Sequence, residues 1–328
     1  MREAAFIKAN KDKWLAFENV LQHKKNISPD ELADLYLEVT DHLSYARTFY
    51  PQSNTSIYLN QLASQSHLLL YKTKKNASRK WLSFFTTDFP LMFYRYRAVL
   101  GVAFFVFVVF SAIGAFSAAT DAAFVRSILG DDYVNQTLQY IDRGDPMGIY
   151  KSTGSLEMFL GITINNIRVA LTAFAMGMLL GIGTLYVLMK NGVMLGSFQY
   201  FFADNDLFWE SFRTIWIHGT IEISVIIIAG CAGLVVGNSI LFPGSYSRLE
   251  SFKRGVMDGA KIMLSTVPFF ILAGFLEGFV TRQTQMPAVL AWIIILGSLG
   301  LILFYFVFYP YHLNRKHTHG KPAHPTQG

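Results

Sequence analysis

The sequence predicts an all-α, polytopic membrane helix bundle of about six spans, with a cytoplasmic helical domain at its N-terminus. Three observations predict it: a shortage of charge, uncharged apolar runs long enough to cross a bilayer, and helical periodicity in the polar first part. Of the 328 residues, 52% are hydrophobic and only 15% are charged, against about 45–50% and 25% in an ordinary soluble domain. The charge is also unevenly placed. Through Arg97 the chain holds fourteen Lys/Arg and nine Asp/Glu, a soluble composition with a basic tilt, and the long apolar runs come after it.

The expected organisation is a helical bundle over 1–75, a basic and aromatic interfacial segment over 76–97, a transmembrane bundle over 98–311 and a disordered, His-rich tail over 312–328. Met1 to Asn19 is polar, without the apolar core and small cleavage-site residues of a signal peptide, so the N-terminus is expected in the cytoplasm. The net charge of +6 does not point to nucleic acid. Its basic residues cluster beside apolar segments, where the positive-inside rule and anionic lipid account for them.

In the first domain, Phe6, Trp14, Phe17, Val20 and Leu21 lie at helical spacing over 3–23, with Lys8, Lys11, Asp12, Lys13 and Glu18 largely opposite. A second helix begins at Ser28-Pro29-Asp30-Glu31, which supplies an N-cap, a proline at the first helical position and a capping-box glutamate. It ends before Pro51, which disfavours helical geometry at Tyr50. A third runs from Asn54 to Tyr71, and the three share an apolar stripe. Then Lys74, Lys75, Arg79, Lys80 and Trp81 lead through Phe84, Phe85, Phe89, Phe93 and Tyr94 to Arg95 and Arg97. Cations among aromatic rings describe a segment lying in the lipid interface; the bland alternative is a linker.

Ala98 to Ala119 carries no charge and is the first span. Asp121, Asp131, Asp132, Asp142 and Asp145 mark an extracytoplasmic loop, within which residues 124–141 suggest one short amphipathic helix. Leu156 to Met189 is too long for one straight crossing, so its first half, with Asn165, Asn166 and Arg168, is expected to be broken or interfacial. Its glycines Gly177, Gly181 and Gly183 allow close helix contact. Val193 to Phe202 is shorter than a span. Trp216–Leu241, Ile262–Val280 and Ala288–Tyr309 are clear crossings. Placing Arg248, Lys253, Arg254, Lys261, Arg315 and Lys316 inside requires the short segment to cross, which gives six crossings and both termini in the cytoplasm.

Ionisable groups at membrane depth are costly unless paired or facing water. His218 and Glu222 share a helix face at a spacing of four, and Glu277 lies near the end of the next span. With Asn165, Asn166 and Arg168 they form the expected intramembrane polar cluster. The structural alternative is that Glu222 and Glu277 each hydrogen-bond backbone or Ser/Thr groups, or pair with Arg168, Arg213 or Arg282, to lock helix packing. One histidine with scattered carboxylates and no HExxH is a weak metal signal, so no metal, cofactor or catalytic residue is assigned. Asp204/Asp206 and Glu210/Arg213 read as a solvated turn, and His312, His317, His319 and His324 as part of the tail. Cys231, the lone cysteine, reads as a packing residue. P-loop and Gly-x-Ser-x-Gly motifs are absent.

The motifs resemble those of the stage II sporulation protein M family of bacterial and archaeal membrane proteins. The resemblance rests on Trp14, Leu35 through Pro51, and Phe89-Pro90. It continues through Asn165-Asn166-Ile167-Arg168-Val169, Gly177, Gly181-Ile182-Gly183-Thr184 and Asn191-Gly192. The strongest match is His218-Gly219-Thr220-Ile221-Glu222, leading to Ala229-Gly230 and Gly233, with Pro243-Gly244 and Glu277-Gly278-Phe279 completing the set. It implies a multispanning protein of the bacterial inner membrane without established catalysis, similar to a scaffold for peptidoglycan-degrading partners.

The leading expectation is therefore a non-enzymatic scaffold or assembly factor linked to envelope remodelling. The alternatives are a transporter or lipid-handling channel with a polar intramembrane cavity, and an intramembrane metal-dependent hydrolase using His218 and Glu222. The expected partners are membrane lipids, other envelope proteins and a second copy in a homodimer.

Overall fold

A computed structural model of the chain describes residues 2–23, 29–71, 82–151, 154–283 and 286–319, and these are helical almost throughout, with no strand among them. They fall into two compact units, Met1–Lys80 and Trp81–Gly328.

The first unit holds α1 (Glu3–His23), α2 (Pro29–Phe49) and α3 (Asn54–Tyr71). Their shared core is Phe6, Trp14, Phe17, Leu21, Val39, Leu43, Ala46, Leu59, Leu62 and Ala63, the apolar stripe expected from periodicity. Its polar edges are paired. Trp14 Nε1 donates to His42 Nδ1 at 3.0 Å, Tyr58 donates to Glu18 at 2.8 Å and Thr55 donates to Glu3 at 2.7 Å. The N-cap Ser28 lies outside the described residues, while α2 stops at Phe49, short of Pro51 as that proline requires.

The second unit opens with a π-helical turn, Phe84–Asp88, and α4 (Phe89–Arg95). Lys74, Lys75, Arg79, Lys80 and Trp81 lie outside the described residues. Arg95 and Arg97 are exposed, with the Arg97 guanidinium 4.4 Å from the Tyr94 ring centre. Phe89 and Phe93, however, are not interfacial: both are fully buried against Tyr305 and Phe306. Tyr305 donates to the Phe85 carbonyl at 2.9 Å, pinning this segment to the last helix.

Next come α5 (Arg97–Thr120), α6 (Ala122–Leu129), α7 (Asp131–Asp142), α8 (Ser155–Ala175), α9 (Ile182–Asp204) and α10 (Phe208–Leu241). After them come α11 (Arg248–Phe275) with a π turn, Leu276–Thr281, α12 (Ala288–Leu303) with a π turn, Phe304–Phe308, and α13 (Tyr309–His319). Among the described residues five helices are long and apolar enough to cross a membrane: Arg97–Thr120, Ser155–Met178, Phe208–Leu241, Arg248–Thr281 and Ala288–Lys316. The 23 residues of α9, at about 1.5 Å each, match the ~30 Å of a hydrocarbon core in length, but the helix is less apolar than those five. The protein is an all-α polytopic membrane helix bundle.

Three expectations are corrected here. α8 runs unbroken through Asn165, Asn166 and Arg168, and the interruption falls later, in a 3-10 turn at Met176–Met178 and a bend to Gly181. Val193–Phe202 is not a short segment by itself but the second half of α9, the first half being the stretch assigned to the preceding span. The outer loop holds two helices, because Gly130 adopts φ 87° between α6 and α7. In addition, α13 carries helix through His317 and His319, into the stretch read as disordered, and residues 320–328 lie outside the described residues.

The centre of the bundle is α10, buried continuously from Val225 to Gly237, Cys231 included. Small residues let its neighbours approach. A Cβ built on Gly177 would meet the Gly233 carbonyl, and along the α5–α9 seam one on Gly196 would meet the Ser111 carbonyl.

Candidate functional site

His218 and Glu222 lie one turn apart on α10, and Glu277 and Thr281 one turn apart on the π turn that ends α11. These two turns face each other. His218 Nδ1 is 3.0 Å from Thr281 Oγ1, and His218 Nε2 is 3.5 Å from Glu277 Oε2. One ligand atom from each of His218, Glu222 and Glu277 lies within 4.8 Å of the others. His218 and Glu277 are buried and Glu222 is half-buried. The Nδ1 contact fixes the ring, with Nε2 directed at the carboxylates.

The three side chains lie at the edge of a cavity of about 540 Å³ between α8, α9 and α10, with residues of α6 and α7 as its roof. Its walls are mainly apolar: Met158, Ile162, Leu195, Phe198, Ile223 and Ile226. Among the described residues, no Lys or Arg lines it. Tyr133, Asn165, Asn166 and Asn191 also line it; the Asn166 side chain, 4% exposed, lies against Glu222, and Tyr133 against Thr137. The polar groups therefore gather at one end of an otherwise apolar cavity.

Of the residues expected to cluster, the fold brings together His218, Glu222, Glu277 and Asn166, with Asn165 more exposed on the same wall. Arg168 does not join them. It is exposed and lines a separate cavity with Lys190 and Thr172, because it points from a different side of α8. The pairing offered as the structural alternative is also not formed by these arginines. Arg213 turns back to the Trp209 carbonyl at 3.2 Å, and Arg282 donates to the Lys151 carbonyl at 3.3 Å. Asp204 and Asp206 are exposed in the turn before α10, with Asp206 at φ 60°.

Two site residues were missed from sequence. Thr281 was legible as the partner of Glu277 at a spacing of four. Tyr133 belongs to the outer loop, and no periodic signal links that loop to the spans.

Fold and site together define a polytopic membrane protein with a buried acid–imidazole cluster opening into an intramembrane cavity. The model of the family described as Stage II sporulation protein M matches residues 103–282, more than half of the chain, and the chain belongs to that family. Residues 4–72 match a second model, described as Domain of unknown function (DUF8413). No curated protein and no solved structure matches the chain.

Proposed function

We propose that the transmembrane bundle is a lipid-handling binding vessel, whose apolar walls take the hydrocarbon part of an amphiphile and whose His218–Glu222–Glu277 end takes its polar group. The observation that carries this reading is convergence. Three titratable side chains from two helices meet at one cavity, whereas a packing lock would pair each within a helix interface. Close glycine contacts, Gly177 on Gly233 and Gly237 on Gly181, close the bundle at the other end of α10. The vessel is therefore one-sided. With the basic start of α11 in the cytoplasm of a bacterial cell, both termini lie inside and the cavity faces the extracytoplasmic half of the inner membrane.

Gly219 offers the test. It lines the cavity, and a Cβ there touches only Ile215 and Ile223 at ordinary distances of 3.7 and 3.8 Å. Gly219→Leu therefore starts a side chain at the cavity wall from a Cβ position that is itself free of clash. Native mass spectrometry of the protein extracted from phosphatidylethanolamine/phosphatidylglycerol vesicles should find phospholipid retained by the wild type and lost from Gly219→Leu. Equal retention by both would remove the cavity as the binding place.

A second reading is favoured by the separately packed N-terminal unit, which has its own family match over residues 4–72 and exposes Leu37, Phe49 and Ile57. It makes the protein a non-enzymatic scaffold or assembly factor in envelope remodelling, recruiting a protein partner through that unit. It expects Gly219→Leu to be harmless and deletion of residues 1–75 to abolish recruitment. A homodimer, the remaining expected partner, would have to use glycines the fold leaves open, such as Gly161 and Gly297, since Gly177 is already used within the chain.

A further inference from the structure

We propose that His218 Nε2, Glu222 and Glu277 hold one divalent cation of the zinc type at the polar end of the cavity. The inference deepens the vessel reading and rests on it for what occupies the metal's open side. A tetrahedral zinc with ligand bonds of about 2.0–2.1 Å has its ligand atoms about 3.3 Å apart. His218 Nε2 and Glu277 Oε2 are 3.5 Å apart, so one edge of the coordination figure is already set. The third ligand atom lies within 4.8 Å, which a rotamer adjustment of Glu222 can close. The same 3.5 Å is long for a charge-assisted hydrogen bond, which spans about 2.7–2.9 Å.

The surroundings agree. Thr281 takes the Nδ1 side of His218, the outer-shell contact that orients a ligating imidazole. Among the described residues the cavity lining supplies two carboxylates and no Lys or Arg, and a carboxylate in apolar surroundings must either hold a proton or meet a counter-charge, which a bound cation supplies. The amide of Asn166, 4% exposed, lies against Glu222 at the same place and can hold that carboxylate toward the site. Three protein ligands leave a coordination position open, as in sites that bind a substrate or water and unlike closed structural sites. That position opens to the cavity, where Asn166 and Tyr133 can hydrogen-bond an oxygen donor bound to the metal. The cation turns an acidic floor into one that attracts an anionic head group.

The experiment uses the full chain in mild detergent, stripped with chelator, with His312, His317, His319 and His324 changed to alanine so that the tail takes no metal. Cobalt(II) titration followed by its visible absorption should reach one equivalent per chain, with zinc displacing the colour. Glu222→Gln and Glu277→Gln, which preserve shape, should each lose the high-affinity step, and Thr281→Val should weaken it about 10-fold. A folded wild type that takes up neither metal at micromolar free concentration overturns the site, as does undiminished uptake by both Gln variants. The wild-type stoichiometry needs no variant to fold. Lipid loss from Gly219→Leu beside a metal-free wild type would end the metal site alone, and metal uptake without cavity-bound lipid would end the vessel reading alone.

Discussion

A single missing Cβ sets how near two helices of this bundle come. At Gly177 the added carbon would fall on the Gly233 carbonyl, which is backbone and cannot turn away. Gly177→Leu should therefore cost about 3 kcal/mol or more, seen as loss of folded protein by size-exclusion chromatography in detergent. Gly161, also helical, has nothing near its Cβ position, and Gly161→Ala should instead stabilise by about 0.5–1 kcal/mol through helix propensity. Equal behaviour of the two variants would show that glycine content and not close approach matters. At the same scale the polar site depends on Thr281: its hydroxyl holds one face of the His218 ring, so the other face is committed to the carboxylates.

Two junctions between elements matter more than the helices they join. α8 and α9 are linked by a hairpin in which consecutive residues adopt left-handed backbone, Leu180 at φ 56° and Gly181 at φ 82°. Glycine takes that conformation without strain, whereas a residue with a Cβ pays about 1–2 kcal/mol. Leu180→Gly should raise the thermal midpoint in detergent and Gly181→Ala should lower it, with opposite signs at neighbouring positions as the diagnostic. The other junction is the π turn Leu276–Thr281, which carries both Glu277 and Thr281. Such turns occur often at functional sites, where the wider winding aims side chains that an α-helix would direct elsewhere.

For the whole molecule, the decisive quantity is the number of crossings, because it fixes on which face the cavity opens. A crossing by α9 would put residues 136 and 245 on opposite sides of the membrane. In a Cys231→Ala background, a membrane-impermeant maleimide applied to intact cells should label Gln136→Cys, in α7, and spare Ser245→Cys until the membrane is broken. Labelling of Ser245→Cys with Gln136→Cys spared would invert the proposed orientation and turn the cavity toward the cytoplasm, and labelling of both would show that α9 does not cross. The buried place of Cys231 makes its replacement by a residue of similar size a suitable background.

The sequence by itself determined the helical class, the core stripe of the first unit, most of the long apolar helices and the placing of His218, Glu222 and Glu277 within them. These are local properties: periodicity, length and the cost of charge in hydrocarbon can be read one segment at a time. It did not determine where the long apolar run from Leu156 turns back. Composition is nearly uniform there, and the turn is set by backbone conformation at Leu180 and Gly181 and by the contact of Gly177 with α10. Nor could it tell that Arg168 stands apart from the polar cluster while Tyr133 and Thr281 join its neighbourhood. Those assignments depend on which faces of α8, α10, α11 and the outer helices meet, and only the packing of one helix against another decides that.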